Sequence, residues 1–111
     1  MLRRMSVREY RAHKLEGFEN MIYIGRKFGG FKESVLKNKF KIGKDGDRDE
    51  VIRKYRVWLW EEVKKRGDVW RELRRIQEMM RSKDVYLICW CMLNEACHGD
   101  VIIRCIEWMN K

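Results

Sequence analysis

Apolar residues recur along this chain with different spacings, and each spacing predicts an element. Val51, Ile52, Tyr55, Trp58, Leu59 and Val63 fall at helical intervals and mark one stripe of an amphipathic helix ending near Gly67. Asp47-Arg-Asp-Glu50 opens it: Asp47 can accept N–H bonds from the first turn, and Glu50 holds the capping-box position. A second helix is predicted from Asp68 to Arg81, with Val69, Leu73, Ile76 and Met80 inward. Asp84 to Cys91 is a nearly continuous apolar run, the pattern of a strand inside a sheet. Met21–Ile24, β-branched and aromatic, reads as a short strand ended by Gly25. A loop over Met92–Gly99 leads to a last helix, with Asp100 as its N-cap and Ile102, Cys105, Ile106 and Met109 inward.

Two stretches lack a clean period. In residues 1–20, Ser6 and Glu9 fit a capping box, and Gly17 could close a short helix. Val7, Glu9 and Arg11 also alternate with Arg8, Tyr10 and Ala12, as in an edge strand, and the segment is read as a strand or irregular arm. Residues 25–46 carry five glycines and many lysines. Phe28, Phe31, Val35, Leu36, Phe40 and Ile42 recur there and predict a long loop pinned to the core. Strands joined through helices imply an α/β class. The expectation is a small, at least partly parallel sheet of two to four strands packed with three helices.

The length, 111 residues, suits one domain spanning 1–111. With 45% hydrophobic residues the chain has the material for a core, which excludes a disordered basic tail. No apolar run reaches the roughly 20 residues of a membrane helix, and the charged N-terminus has no apolar stretch behind it. A cytoplasmic protein without a membrane partner is therefore expected. The net charge of +9 has two readings, a solvated surface of the kind heat-adapted proteins use or a face turned to phosphate.

Candidate chemistry concentrates near the end. Cys89, Cys91, Cys97 and Cys105 all lie in the last quarter and read as reduced thiols. Cys89 to Asp100 runs off the carboxyl end of a buried strand into a helix N-terminus, where open α/β sheets bind ligands and first-turn N–H groups favour anions. Cys97 and His98 are the candidate catalytic pair: a thiol favoured as thiolate by the helix dipole, and an imidazole able to move protons near neutral pH. The plainer reading is that Cys89 and Cys91 pack against a helix, His98 bonds the loop and Asp100 only caps. Zinc held by Cys89, Cys91, Cys97 and His98, or with Cys105, is disfavoured because Cys-x-Cys followed by adjacent Cys-His lacks knuckle spacing. No cofactor or metal is expected.

Five segments occur in order: Met21-Ile-Tyr-Ile-Gly-Arg26, Ser34-Val-Leu-Lys-Asn-Lys-Phe40, Ile42-Gly-Lys-Asp-Gly-Asp-Arg48, Val51 to Leu59, and Cys89-Trp-Cys91 with Cys97-His-Gly-Asp100. Over residues 21–109 the chain resembles the uncharacterised bacterial and phage domain-of-unknown-function family 4326, with Cys-His-Gly-Asp the most specific element. It departs from the family at Lys39, where Asn-Pro-Phe is usual, and at Leu93, where a proline follows the Cys-x-Cys. The resemblance implies a phage or viral setting, hence a host-cell cytoplasm, and no established activity. It also implies that Arg26, Asn38, the Gly43–Arg48 loop and Cys97–Asp100 form one site. Physically, Arg26, Lys44 and Arg48 would hold negative charge. Gly43 and Gly46 would let backbone N–H groups approach a phosphate, although no Walker or dinucleotide fingerprint is present. Gly99 would permit close approach and Asp100 would cap.

A second surface competes. Arg53, Val57, Trp60 and Lys64 share a helix face away from the core stripe, and Arg71, Arg74, Arg75 and Arg81 extend the charge. Trp60 could stack on a base, or be covered by the N-terminal arm or a dimer mate. The leading expectation is a domain that binds a nucleotide or nucleotide-derived anionic ligand at the Cys-His-Gly-Asp loop, with processing of that ligand left open. The alternatives are a basic nucleic-acid-binding accessory protein and a host-protein interaction module without ligand. Whether an enzyme, and whether a homodimer, is left open.

Overall fold

A computed structural model describes residues 2–13, 20–27, 30–90 and 97–109. Its elements are β1 (Leu2–Ser6), α1 (Val7–His13), β2 (Met21–Tyr23), α2 (Arg48–Lys65), α3 (Asp68–Met79), β3 (Val85–Cys89) and α4 (His98–Met109). The sheet has three strands in the order β1-β3-β2, and both pairings are parallel. Leu2–Ser6 aligns with Val85–Cys89 residue for residue, and Met21–Tyr23 aligns with Tyr86–Ile88. β3 is therefore the central strand, which is why its sequence is apolar on both faces.

The two faces of the sheet have separate cores. Leu2, Ile22, Val85, Leu87 and Cys89 face a large cluster containing Tyr55 and Leu59 of α2, Leu73 and Ile76 of α3, and Ile102, Cys105 and Ile106 of α4. Met5 and Ile88 face a smaller one with Val7, Tyr10, Tyr23 and Phe31. Full burial of each such aliphatic side chain contributes about 1.5–3 kcal/mol against exposure. The α/β class and the parallel pairing of the two predicted strands are as expected from the sequence. Among the described residues there are four helices rather than three, because the N-terminal segment contributes α1.

That segment combines both readings in series. Residues 2–6 are a strand, and the alternation from Val7 onward is a helix rather than an edge strand. Ser6 Oγ accepts from the Glu9 N–H at 3.1 Å, while Glu9 Oε1 accepts from the Ser6 N–H at 3.4 Å. These two bonds form a capping box that ends the strand and starts the helix. Gly17 and Phe28 lie outside the described residues, as do Cys91 and residues 92–96 of the predicted Met92–Gly99 loop.

The 31–47 segment is pinned to α2 at specific points rather than along its length. Leu36 is fully buried, and its carbonyl accepts from the Tyr55 hydroxyl at 2.6 Å. Val35 and Ile42, expected inward, are 46% and 56% exposed. α2 begins as predicted, with Asp47 Oδ1 accepting from the Glu50 N–H at 2.9 Å. It ends one turn after Val63, where Arg66 takes the left-handed conformation (φ 57°) and lets Gly67 open α3.

Candidate functional site

The carboxyl ends of β2 and β3 open into a cleft of about 630 Å³. Tyr23, Gly25, Arg26 and Lys27 line it from the end of β2, and Trp90 lines it from the end of β3. Asn38, Phe40, Lys41 and Ile42 come from the following loop. Arg48, Val51 and Ile52 come from the first turns of α2, and Cys97 and His98 from the start of α4. The position matches the strand-end rule for parallel sheets. Five residues singled out from the sequence thus share one cleft: Arg26, Asn38, Arg48, Cys97 and His98.

Each has a definite local role. The Arg26 Nε donates to the Asn38 carbonyl at 3.1 Å and Nη2 to the Phe40 carbonyl at 3.3 Å, so this exposed guanidinium ties the loop to the strand end. Asn38 Oδ1 accepts from the Phe40 N–H, and its Nδ2 donates to the Val51 carbonyl. Asn38 therefore shapes the wall and has both polar ends on backbone. Tyr23 turns back beneath Gly25. Its hydroxyl donates to the Arg26 carbonyl at 2.5 Å and accepts from Trp90 Nε1 at 2.9 Å. A Cβ on Gly25 would lie 2.5 Å from that hydroxyl, so only glycine fits the close approach there.

At the inner end, His98 is buried. Its Nε2 lies 2.8 Å from the Ile24 carbonyl oxygen. A carbonyl only accepts, so Nε2 carries the hydrogen, and in the neutral ring Nδ1 keeps a lone pair. Nδ1 faces Cys97 Sγ at 3.7 Å, and the ring sits edge-on to Tyr55. Burial pushes the Tyr55 hydroxyl well above its ordinary range, with further push from negative charge at Cys105 and Cys97. Tyr55 is thus a neutral donor held by Leu36.

The predicted cap at Asp100 is corrected by the structure. α4 starts at His98, so Asp100 is its third residue, and the capping group is one turn earlier. Cys97 Sγ accepts from the Gly99 N–H at 3.4 Å, while Asp100 Oδ2 reaches back to the Cys97 N–H at 3.2 Å. The pattern is a capping box with cysteine in the serine place. Gly99 packs against β1 and the end of β2: a Cβ there would lie 3.1 Å from both Arg4 Cδ and Ile24 Cδ1. Gly99 thus serves helix–sheet packing, not ligand approach.

The glycine loop is also corrected. Gly43 and Gly46 take positive φ, 90° and 134°. However, the Gly43 N–H donates to the Gly46 carbonyl, and the Lys44 and Asp45 N–H groups both donate to the Lys41 carbonyl. These donors are consumed within the turn and do not form a phosphate cradle. Lys44 is exposed and is not part of the cleft wall; Lys41, at the base of the same turn, and Lys27 are.

The second surface is divided up by local contacts. Trp60 is half-buried, edge-on to Trp108 of α4 at 4.8 Å, so part of its ring is covered from within the chain. Lys64 pairs with Glu61, Arg71 with Asp68, Arg75 with Glu72 and Arg81 with Glu78. Arg74 lies over Trp70 and donates to Gln77. Arg53 borders a separate shallow groove with Val57 and Trp58. Among the described residues no three His, Cys, Asp or Glu side chains are grouped to hold a metal ion, and no helix is long and apolar enough to cross a membrane.

One residue near the site escaped the sequence reading. Arg4, in β1, has a side chain only 7% exposed, and it pairs with the half-exposed Asp100 (Nε to Oδ1, 3.6 Å). Burial lowers its hold on the proton, but a side-chain hydrogen bond with Cys97 and negative charge at Cys97, Asp100 and Cys89 raise it further, for a net upward shift. The signal available was weak: a charged residue at the inward position of a strand between Leu2 and Ser6.

A family model described as a domain of unknown function, DUF4326, matches residues 7–108. The match starts earlier than the resemblance noted from residue 21 and takes in α1. No curated protein and no solved structure matches the chain.

Proposed function

The chain belongs to the DUF4326 family, and from that premise we propose that its cleft binds a nucleotide or nucleotide-derived anionic ligand. One observation carries the reading: an apolar wall of Phe40, Ile42, Val51 and Ile52 stands beside four cations, Arg26, Lys27, Lys41 and Arg48, at the carboxyl ends of parallel strands. A flat base suits the apolar wall, and a phosphate suits the cationic rim. The volume, about 630 Å³, falls in the range of small-molecule sites. Tyr23 and Trp90, linked by a hydrogen bond, add aromatic surface at the mouth. Cys97 and His98 stand at the inner end, within reach of a ligand whose phosphate is at the rim.

Isothermal titration with AMP, ADP, ATP and the corresponding guanine, cytosine and uracil nucleotides tests the assignment. Saturable binding to at least one of them, lost in the double variant Lys41→Ala, Arg48→Ala while melting is unchanged, is the expected result. No heat and no thermal shift with any of them at millimolar concentration and low salt would overturn it.

A further inference from the structure

We infer that Cys97 is a nucleophile at the inner end of the cleft, and that Arg4 of β1 is its positioning residue. This rests on the cleft being a ligand site, and it adds the chemistry done there. The substrate class is an anionic ligand carrying an electrophilic carbon with a leaving group.

Three groups converge on Cys97 Sγ from two parts of the chain, the start of α4 and β1. The Gly99 N–H donates to it from the first turn of α4. His98 Nδ1, a lone-pair nitrogen because Nε2–H is held by Ile24, faces it at 3.7 Å. Arg4 brings a buried guanidinium from the neighbouring strand. A helix N-terminus, a base and a cation are the surroundings that activate a thiol. Burying an arginine is costly unless its charge is used. Asp100, half exposed, pairs with it at 3.6 Å.

Reaction follows from this arrangement. The thiol proton passes to His98 Nδ1, and Sγ bonds to the electrophilic carbon. The bond from that carbon to the leaving group breaks, and the leaving group departs with the electron pair. Gly99 N–H and Arg4 hold sulfur in line while His98 keeps the proton. Cys89 and Cys105 have no such role. All three thiols are nearly unexposed, but only Cys97 lines the cleft, and burial pushes the Cys105 thiol up to about 11.

Alkylation of the folded full chain tests the inference, with each cysteine read by peptide mass spectrometry. The probes are iodoacetamide and iodoacetate, which form the Sγ–carbon bond as iodide leaves. Cys97 should react at least about tenfold faster than Cys89 or Cys105. Iodoacetate should gain on iodoacetamide at Cys97 relative to free cysteine, because Arg4 and the rim cations draw the anion. The rate should persist below the ordinary thiol range near 8.5. The titratable and charged groups packed with Cys97 are Arg4 from β1, Cys89 from β3, Tyr55 from α2, and His98, Asp100 and Cys105 from α4. Arg4→Met should slow Cys97 by about tenfold, one unit of acidity, and Arg4→Lys should restore part of it. Since Arg4→Met could fail to fold, the wild-type pH profile stands as an independent measurement. Cys97 reacting no faster than the core cysteines, or following an ordinary thiol profile, would overturn the inference. Nucleotide binding is measured separately. An inert Cys97 in a protein that binds nucleotide sinks the nucleophile alone, and a reactive Cys97 in a protein that binds none sinks the ligand class alone.

Discussion

Two helix N-termini border the same cleft and are built differently. α2 is capped by Asp47, an exposed carboxylate and a strong acceptor, with Asp49 and Glu50 adding negative charge in the first turn. These three carboxylates oppose the positive end of the helix dipole, as stability favours, with Arg48 the one cation among them. α4 is capped by the Cys97 thiol, a weak acceptor, buried beneath Arg4 and next to His98. Its one acidic residue, Asp100, turns back to the Cys97 N–H and out to Arg4. A cap chosen for stability would be serine or aspartate. The contrast teaches that the α4 terminus spends its dipole on sulfur, whereas the α2 terminus neutralises its own.

The largest effect that can break this contrast is at His98. His98→Ala removes a buried ring, its bond to the Ile24 carbonyl and its edge contact with Tyr55. The expected cost is about 3 kcal/mol of unfolding free energy in a urea titration. A cost below about 1 kcal/mol would mean that the ring does not tie α4 to β2.

Alkaline pH should sharpen the contrast next. Cys105, in the same core cluster as Cys97, is pushed by burial from 9.0 to about 11. Its folded value lies above its unfolded one, so its contribution is fully present below pH 9 and is lost as pH rises toward 11. The loss is on the order of 2 kcal/mol at the upper end. Tyr55, also shifted up by burial, adds a loss in the same direction at higher pH. Melting temperatures measured from pH 8 upward should fall in the wild type and fall less in Cys105→Ala. Parallel curves would show that Cys105 titrates the same folded and unfolded.

Much of this architecture is legible in the sequence because its elements are periodic. β3 shows as a continuous apolar run, and α2 as a stripe from Val51 to Val63 with Asp47 before it. β1 is not legible, because arginines stand at positions 3 and 4 and one of them points inward. Arg4 aligns with Leu87 across the pairing, a core position, and an inward charge erases the alternation that marks a strand. Cysteine is not a common cap, so the start of α4 is displaced to Asp100 in a sequence reading. The grouping of Arg26, Asn38, Arg48, Cys97 and His98 was accessible from the strand ends and the family motifs. Lys27 and Lys41 were not, since lysines in a glycine-rich loop carry no period, and which glycines cradle a ligand depends on where their N–H groups bond.

At α2 the expected effect is smaller. Asp47→Ala removes the carboxylate that accepts from Glu50 and should cost about 1 kcal/mol in the same urea titration. The midpoint should move without a change in slope, because the helix stays packed through Tyr55 and Leu59. Cys97 alkylation should be unchanged in this variant. A change would mean that the two termini are coupled through the cleft.

The smallest effect on stability belongs to Cys97→Ser, and it separates the two termini most cleanly. The oxygen is smaller than sulfur and accepts hydrogen bonds better, so the Gly99 N–H keeps a partner. Against this, a hydroxyl in the place of a nearly unexposed thiol carries a desolvation cost. The two terms oppose each other, and the net change should be within about 1 kcal/mol. Ligand binding at the rim should survive, since Arg48 and Lys41 are untouched. Any turnover should vanish, because serine beside a single histidine is a far weaker nucleophile than a thiolate. If Cys97→Ser unfolds the domain, the sulfur is there for packing and the α4 terminus is a structural cap like that of α2. If it folds and turns over substrate at the wild-type rate, sulfur takes no part in the chemistry.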